Sequence, residues 1–179
     1  MKNIFDKGFY NNKILNKLGF KKIGKNVKIS KQCLIIGLKN ISLGDNVRID
    51  AFTSIIADSG YLNLGNNIHI GGHGHILCSG GITIENGCTF SQGVRIYSQS
   101  DDYSGKKPTG LFVKNKHKNY KKGKITIGSN SIIGSGSIIL PNVKIVKNTS
   151  IGALSLVNKN VLLSGTYSGI PIKKNEKKK

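Results

Sequence analysis

Tryptophan is absent from this 179-residue chain, and its single methionine is the initiator. Aromatic residues make up only 7%. Against that shortage of large core side chains stand 26 Lys, 26 Ile, 23 Gly and 19 Asn, a mixture of strand and turn formers that argues against a helical bundle. No run approaches the roughly 18 apolar residues of a membrane span. Asp6, Lys7 and Asn11–Lys13 interrupt the N-terminus where a signal peptide would be apolar. The expectation is a cytoplasmic protein without stable membrane insertion. Cys33, Cys78 and Cys88 are odd in number and form no CxxC pair, so they fit reduced core thiols, not a disulfide framework or a structural zinc site. The length allows one domain.

Acids are scarce as well: 8 against 28 Lys and Arg, for a formal charge of +20. The charge is segregated. Residues 1–39 carry +9, residues 40–105 carry −4, residues 106–124 carry +8, and the remainder is mildly basic. No helix-turn-helix, aromatic platform or zinc spacing accompanies the lysines, so nucleic acid is not the expected partner. Solvated surface and phosphate-bearing small molecules are the readings that remain.

What organises the chain is a six-residue period. Aliphatic or aromatic residues recur at Ile23, Ile29, Ile35; Leu43, Ile49, Ile55; Leu64, Ile70, Ile76; Ile84, Phe90, Ile96; Ile127, Ile133, Ile139; Ile145, Ile151, Val157; and Leu163. Four residues after many of them comes a small or β-branched side chain, as at Val27, Cys33, Val47, Thr53, Cys88, Val94, Ser131, Ser137, Val143, Thr149, Ser155 and Val161. A helix would need spacings of three and four, and a plain alternating strand would not reset at Gly-Asn or Gly-Asp turns. Three hexads close one triangular coil, whose short strands stack from coil to coil as parallel ladders. Six coils are expected over residues 23–163, with residues 1–22 as an N-terminal cap and 164–179 as a C-terminal tail. In the cap, Ile14, Leu15 and Leu18 read as a short helix closed by Gly19. Successive coils start 20 or 21 residues apart up to Ile84 and 18 apart from Ile127, so extra residues sit at one corner of the early coils.

Between Ile96 and Ile127 the period breaks, and residues of about 99–124 leave the column as one loop. A loop this long in a compact repeat carries function or disorder. Tyr103, Leu111, Phe112, Val113 and Tyr120 give it apolar anchors, which favours function.

The repeat resembles the hexapeptide-repeat acyltransferases. The resemblance spans Ile23 to Pro171 and is sharpest in IGSNSIIGSGSIILPNVKI, IGALSLVNKNV and YSGIPIKK. It implies an all-β, left-handed parallel β-helix working as a homotrimer. Spacing alone does not give that hand, since crossovers are ordinarily right-handed. It also implies transfer of an acetyl group from acetyl-CoA to a hydroxyl or amine of a sugar, such as a nucleotide-linked amino sugar or a polysaccharide unit. By the same resemblance Ser135, Ala153, Asn158, Lys159 and Lys173 fall at CoA-binding positions. The position where relatives carry a catalytic His is Asp101 here.

An ordinary Asp is about 2.6 pKa units less basic than His, a handicap of roughly 3.5 kcal/mol in proton transfer. It matters less when the acceptor is an amine, already nucleophilic as the free base. Asp101 is therefore expected as base or amine anchor, with His73 as the substitute base, and Asp102 and Tyr103 as sugar contacts. His69, His73 and His75 lie close in sequence, but their spacing does not match the ligands of the zinc enzymes built on related helices. No metal is expected. A carbonic-anhydrase-like metalloenzyme and a non-catalytic solenoid scaffold are the alternative readings.

Overall fold

The computed structural model describes residues 6–110 and 112–175; Leu111, one of the expected loop anchors, lies outside them. Short strands of two to four residues wind into a three-sided column. The first face stacks Lys28–Ser30, Val47–Ile49, Ile68–Ile70, Thr89–Phe90, Ile132–Ile133, Thr149–Ile151 and Gly165–Ser168 in parallel. The second stacks Leu34–Ile36, Ser54–Ile56, His75–Leu77, Arg95–Tyr97, Ile138–Ile139 and Leu156–Val157. The third runs from Lys22–Ile23 to Lys144–Ile145. The corners between them are called first (first to second face), second (second to third) and third below.

Hexad residues pair with their equivalents one coil away, as Ile76 with Ile55 and Ile96. All but three of the nineteen are buried: Ile23 and Ile35 are partly covered, and Leu163 is 66% exposed. Each buried aliphatic contributes about 1.5–3 kcal/mol, which is why the column interior fixes the register. The small inward residues do a second job. Ser131 and Ser155 donate their hydroxyls to the corner carbonyls of Gly128 and Gly152 at 2.7 Å, and Thr149 to Val146 at 2.8 Å. Among the described residues no buried side-chain polar atom lacks a partner. At the third corner Asn26, Asn46, Asn67, Asn130 and Asn148 take the left-handed conformation that Asn tolerates. Asn26 and Asn46 each donate to the next amide oxygen at 2.9 Å.

The stack continues past residue 163. Gly165–Ser168 adds a seventh strand to the first face, and Tyr167 takes the inward place opposite Ile151. Both ends are closed by antiparallel strands, Phe9–Tyr10 on Lys28–Ser30 and Lys173–Lys174 on Gly165–Ser168, which leaves no bare edge on that face. The expected cap helix is one turn, Asn12–Leu15. Only Leu15 is buried; Ile14 and Leu18 are exposed. Asn12 ties it down, donating to the Gly24 carbonyl at 2.6 Å and accepting from the Val27 amide at 2.9 Å. Cys78 and Cys88 are buried thiols and Cys33 is half-buried; burial pushes the Cys78 thiol up to about 12. Among the described residues no helix is long and apolar enough to cross a membrane.

Candidate active site

The extra residues of the early coils all fall at the second corner, and the long loop leaves from the same corner. Its neck is built by close packing. Ser98, fully buried, donates to the Leu77 carbonyl at 2.7 Å and accepts from the Gly80 amide at 2.9 Å, while its own carbonyl accepts from Gly123 at 3.0 Å. A Cβ on Gly80 would collide with that carbonyl, so only glycine fits. Beyond the neck Gln99–Asp101 pairs antiparallel with Tyr120–Lys122.

Loop and column together enclose a groove of about 1160 Å³. Leu77, Tyr97, Ile138, Leu140, Pro141 and Leu156 form its apolar floor. Asp101, Asp102, Tyr103, Asn119 and Asn158 bring polar groups to its rim. A mostly apolar cleft with a few convergent polar groups is the ordinary form of a small-molecule site. Asp101 is exposed on the single protomer. Asp102 accepts from the Ser104 amide at 2.9 Å and from Asn119 Nδ2 at 3.1 Å, and those hydrogen bonds hold its carboxyl below the usual aspartate range. Tyr103 and Phe112 project from the loop, 91% and 97% exposed.

A second set of expected site residues lies at the first corner, across the width of the second face, about 10 Å for a three-residue strand. His73 is there, exposed, with its ring stacked 5.0 Å from Phe52. Ser135 and Ala153 follow in later coils, where the Leu154 amide donates to the Ser135 carbonyl at 2.8 Å. Phe52, His73 and Leu154 all have φ between 55° and 61°. Side chains other than Gly or Asn pay roughly 1–2 kcal/mol for that conformation, so among the described residues this strain collects at the first corner. Gly93 and Gly136 occupy the equivalent positions between His73 and Leu154, and the Leu154 side chain packs over Gly136.

The predicted residues therefore divide. Asp101, Asp102, Tyr103 and Asn158 share the groove, with Lys159 exposed beside it; His73, Ser135 and Ala153 share the opposite corner; Lys173 lies on the C-terminal end strand. The remaining histidines disperse. His69 Nε2 meets Asp50 at 2.8 Å on the first face, His75 sits on the second face against Ser54 and Tyr97, and His117 is exposed in the loop. Burial, then the Arg95 charge, push the His75 imidazole down. No cluster of three metal-ligating side chains forms among the described residues. Periodicity did not reveal Tyr97, Asn119 or Pro141 as groove residues; for Tyr97 and Asn119 the available signal was proximity to the break in the hexad pattern.

No family model matches the chain. A dTDP-4-amino-4,6-dideoxy-D-glucose acyltransferase of Escherichia coli is 39% identical over 159 residues, 89% of this chain and 83% of the relative. The chain belongs to the sugar acyltransferases of the hexapeptide-repeat family. AntD, an N-acyltransferase from Bacillus cereus solved with dTDP and 3-hydroxybutyryl-CoA, is 36% identical, with a TM-score of 0.86 over 97% of this chain and 91% of that one. A serine variant of AntD, solved with dTDP-4-amino-4,6-dideoxyglucose and coenzyme A, is 34% identical with a TM-score of 0.87, over 97% and 92%. Variants of an aspartate ten residues after that serine have been solved with dTDP and coenzyme A. The column is thus the left-handed β-helix of these enzymes. As an acyltransferase it has to bring a thioester and a sugar nucleophile within reach of each other.

Proposed function

We propose that this acyltransferase moves an acyl group from acetyl-CoA, or a close acyl-CoA, to the amino group of a dTDP-linked 4-amino-4,6-dideoxyhexose. The carrying observation is a carboxylate, Asp101, on the groove where family resemblance leads one to expect an imidazole. Ser91 and Asp101 are also the only serine and aspartate in this sequence spaced as the AntD pair is, ten residues apart. That coincidence supports Asp101 as an amine-handling group and adds Ser91, at the first corner, to the site.

The chemistry follows from what a carboxylate does well. It accepts a hydrogen bond from the amine N–H and points the nitrogen lone pair at the thioester carbonyl. The C–N bond forms, the carbonyl electrons move to oxygen, and on their return the C–S bond breaks. The nitrogen's surplus proton passes to Asp101 or to the departing thiolate, whose thiol pKa is about 8.5. An alcohol would need a stronger base than an ordinary aspartate, so the geometry favours N- over O-acylation. His73 is the substitute base. Asp102 and Tyr103 contact the sugar, while Ser135 and Ala153, with Asn158, Lys159 and Lys173, serve coenzyme A.

A homotrimer unites the two half-sites: the first corner of one subunit, with Ser91, His73 and Ser135, faces the groove of the next. Exposed Leu34, Ile36, Phe52 and Leu154 along and beside the second face support burial against another copy. The product suits assembly of a surface polysaccharide, and an acyl-CoA donor with a nucleotide-sugar acceptor supports a cytoplasmic enzyme. Thiol release from acetyl-CoA, measured against amino and neutral dTDP-sugars, tests the reading. Release with the amino sugars alone is expected, and equal release with neutral sugars would defeat it.

A further inference from the structure

Of 28 cationic side chains only Arg48 and Arg95 are arginine. Arg48 is engaged locally, donating to Asp50 at 2.7 Å with its guanidinium 5.0 Å from the Phe9 ring. Arg95 is exposed on the outer side of the second face, paired in register with His75 and Ile138, and among the described residues it has no ion-pair or hydrogen-bond partner. A guanidinium presents a planar fork that binds phosphate oxygens in pairs, which a lysine ammonium does not. In a chain that otherwise uses lysine, an unengaged arginine beside the groove points to an oxyanion.

Its position also fits. Arg95 and Tyr97 point to the same side of one strand, about 7 Å apart, and Tyr97 lines the groove whose other rim carries Asp101 and Asp102. The loop-side rim thus carries two carboxylates with Lys121 beside them, and Arg95 stands just outside the groove on the far side of Tyr97. An acceptor bearing both a diphosphate and an amine can set its amine at the Asp101 carboxylate and extend its diphosphate along the floor toward the guanidinium of Arg95. His75 flanks Arg95, its Nδ1 held 2.5 Å from Ser54 Oγ.

We propose that Arg95 binds the diphosphate of the nucleotide-linked acceptor and so sets the sugar's orientation along the groove. This rests on the acyltransferase reading above. The full chain and its Arg95→Gln and Arg95→Lys variants, each checked for unchanged circular dichroism, are titrated calorimetrically with dTDP, coenzyme A and inorganic pyrophosphate. Arg95→Gln is expected to weaken dTDP roughly ten- to hundredfold, Arg95→Lys less, with coenzyme A unaffected. Pyrophosphate competes with dTDP on the wild type. Unchanged dTDP affinity in Arg95→Gln, a comparable loss for coenzyme A, or no competition by pyrophosphate overturns the assignment. Thiol release by the wild type separates the two ideas: release with dTDP affinity indifferent to Arg95 removes this assignment alone, while Arg95-dependent dTDP binding without release keeps it and removes the proposed reaction.

Discussion

Asp101 lies directly across the antiparallel ladder from Tyr120 at the mouth of the loop, and both side chains line the groove. Because the pairing is made by backbone hydrogen bonds, Asp101→Asn keeps the ladder and the shape of the residue while removing its charge. Turnover per bound amino sugar should fall roughly ten- to hundredfold, the value of one charge-assisted hydrogen bond, with the melting temperature unchanged. Steady-state kinetics of thiol release read it out directly. Full activity in the variant would take Asp101 out of the mechanism.

Ser135 is exposed at the first corner, and its carbonyl, not its hydroxyl, makes the bond to Leu154 that holds the coil. Ser135→Trp should therefore fold normally and obstruct the thioester arm along the first corner. The expected signature is a KM for acyl-CoA raised by roughly tenfold or more, with the KM for the sugar little changed. An unaltered KM for acyl-CoA would place the arm elsewhere.

Where the hexad succeeded and where it failed have the same origin. From Ile29 to Val157 each inward residue repeats because the backbone must present one bulky group per face, so burial leaves its mark on the sequence. Leu163 broke the pattern because the last coil shortens. Val161 bridges to Ile145, not to Val143 one full coil back, and the two-residue slip puts Tyr167 opposite Ile151. Nothing in the period announces that slip. The groove was legible only in part for a different reason. Asp101 follows from the family motif, and Asp102, Tyr103 and Tyr120 from the break in the period, but Asn119 reaches the rim only because Gln99–Asp101 pairs with Tyr120–Lys122, and no periodic constraint marks that hairpin. The split between His73 and Asp101 is implicit in the hexad phase, since His73 falls between Ile70 and Ile76 and Asp101 between Ile96 and Ile127, but the resemblance grouped residues by role and not by corner.

That slip makes a stability prediction. Ile139→Ala opens a cavity in a fully closed interior and should cost about 2–5 kcal/mol, whereas Leu163→Ala should stay within about 0.5 kcal/mol. Denaturant unfolding of the two variants compares them. Equal losses would mean that the last coil keeps the hexad register after all.

The loop offers a titration that needs no substrate. Asp102 is held below the usual aspartate range by the Ser104 amide and hydroxyl and by Asn119. A group with a depressed folded-state value stabilises the fold fully above its unfolded value, near 3.9, and loses that contribution as pH falls through the lower one. The clamp between Asp102 and Asn119 is thus intact at neutral pH and released only in acid, so no pH dependence of loop order is expected between about pH 5 and 8. Carboxyl carbon shifts followed by NMR should give Asp102 a midpoint below the ordinary value, and Asn119→Ala should move it partway back up. A midpoint at or above the ordinary value would show that the Ser104 and Asn119 bonds to Asp102 do not hold in solution.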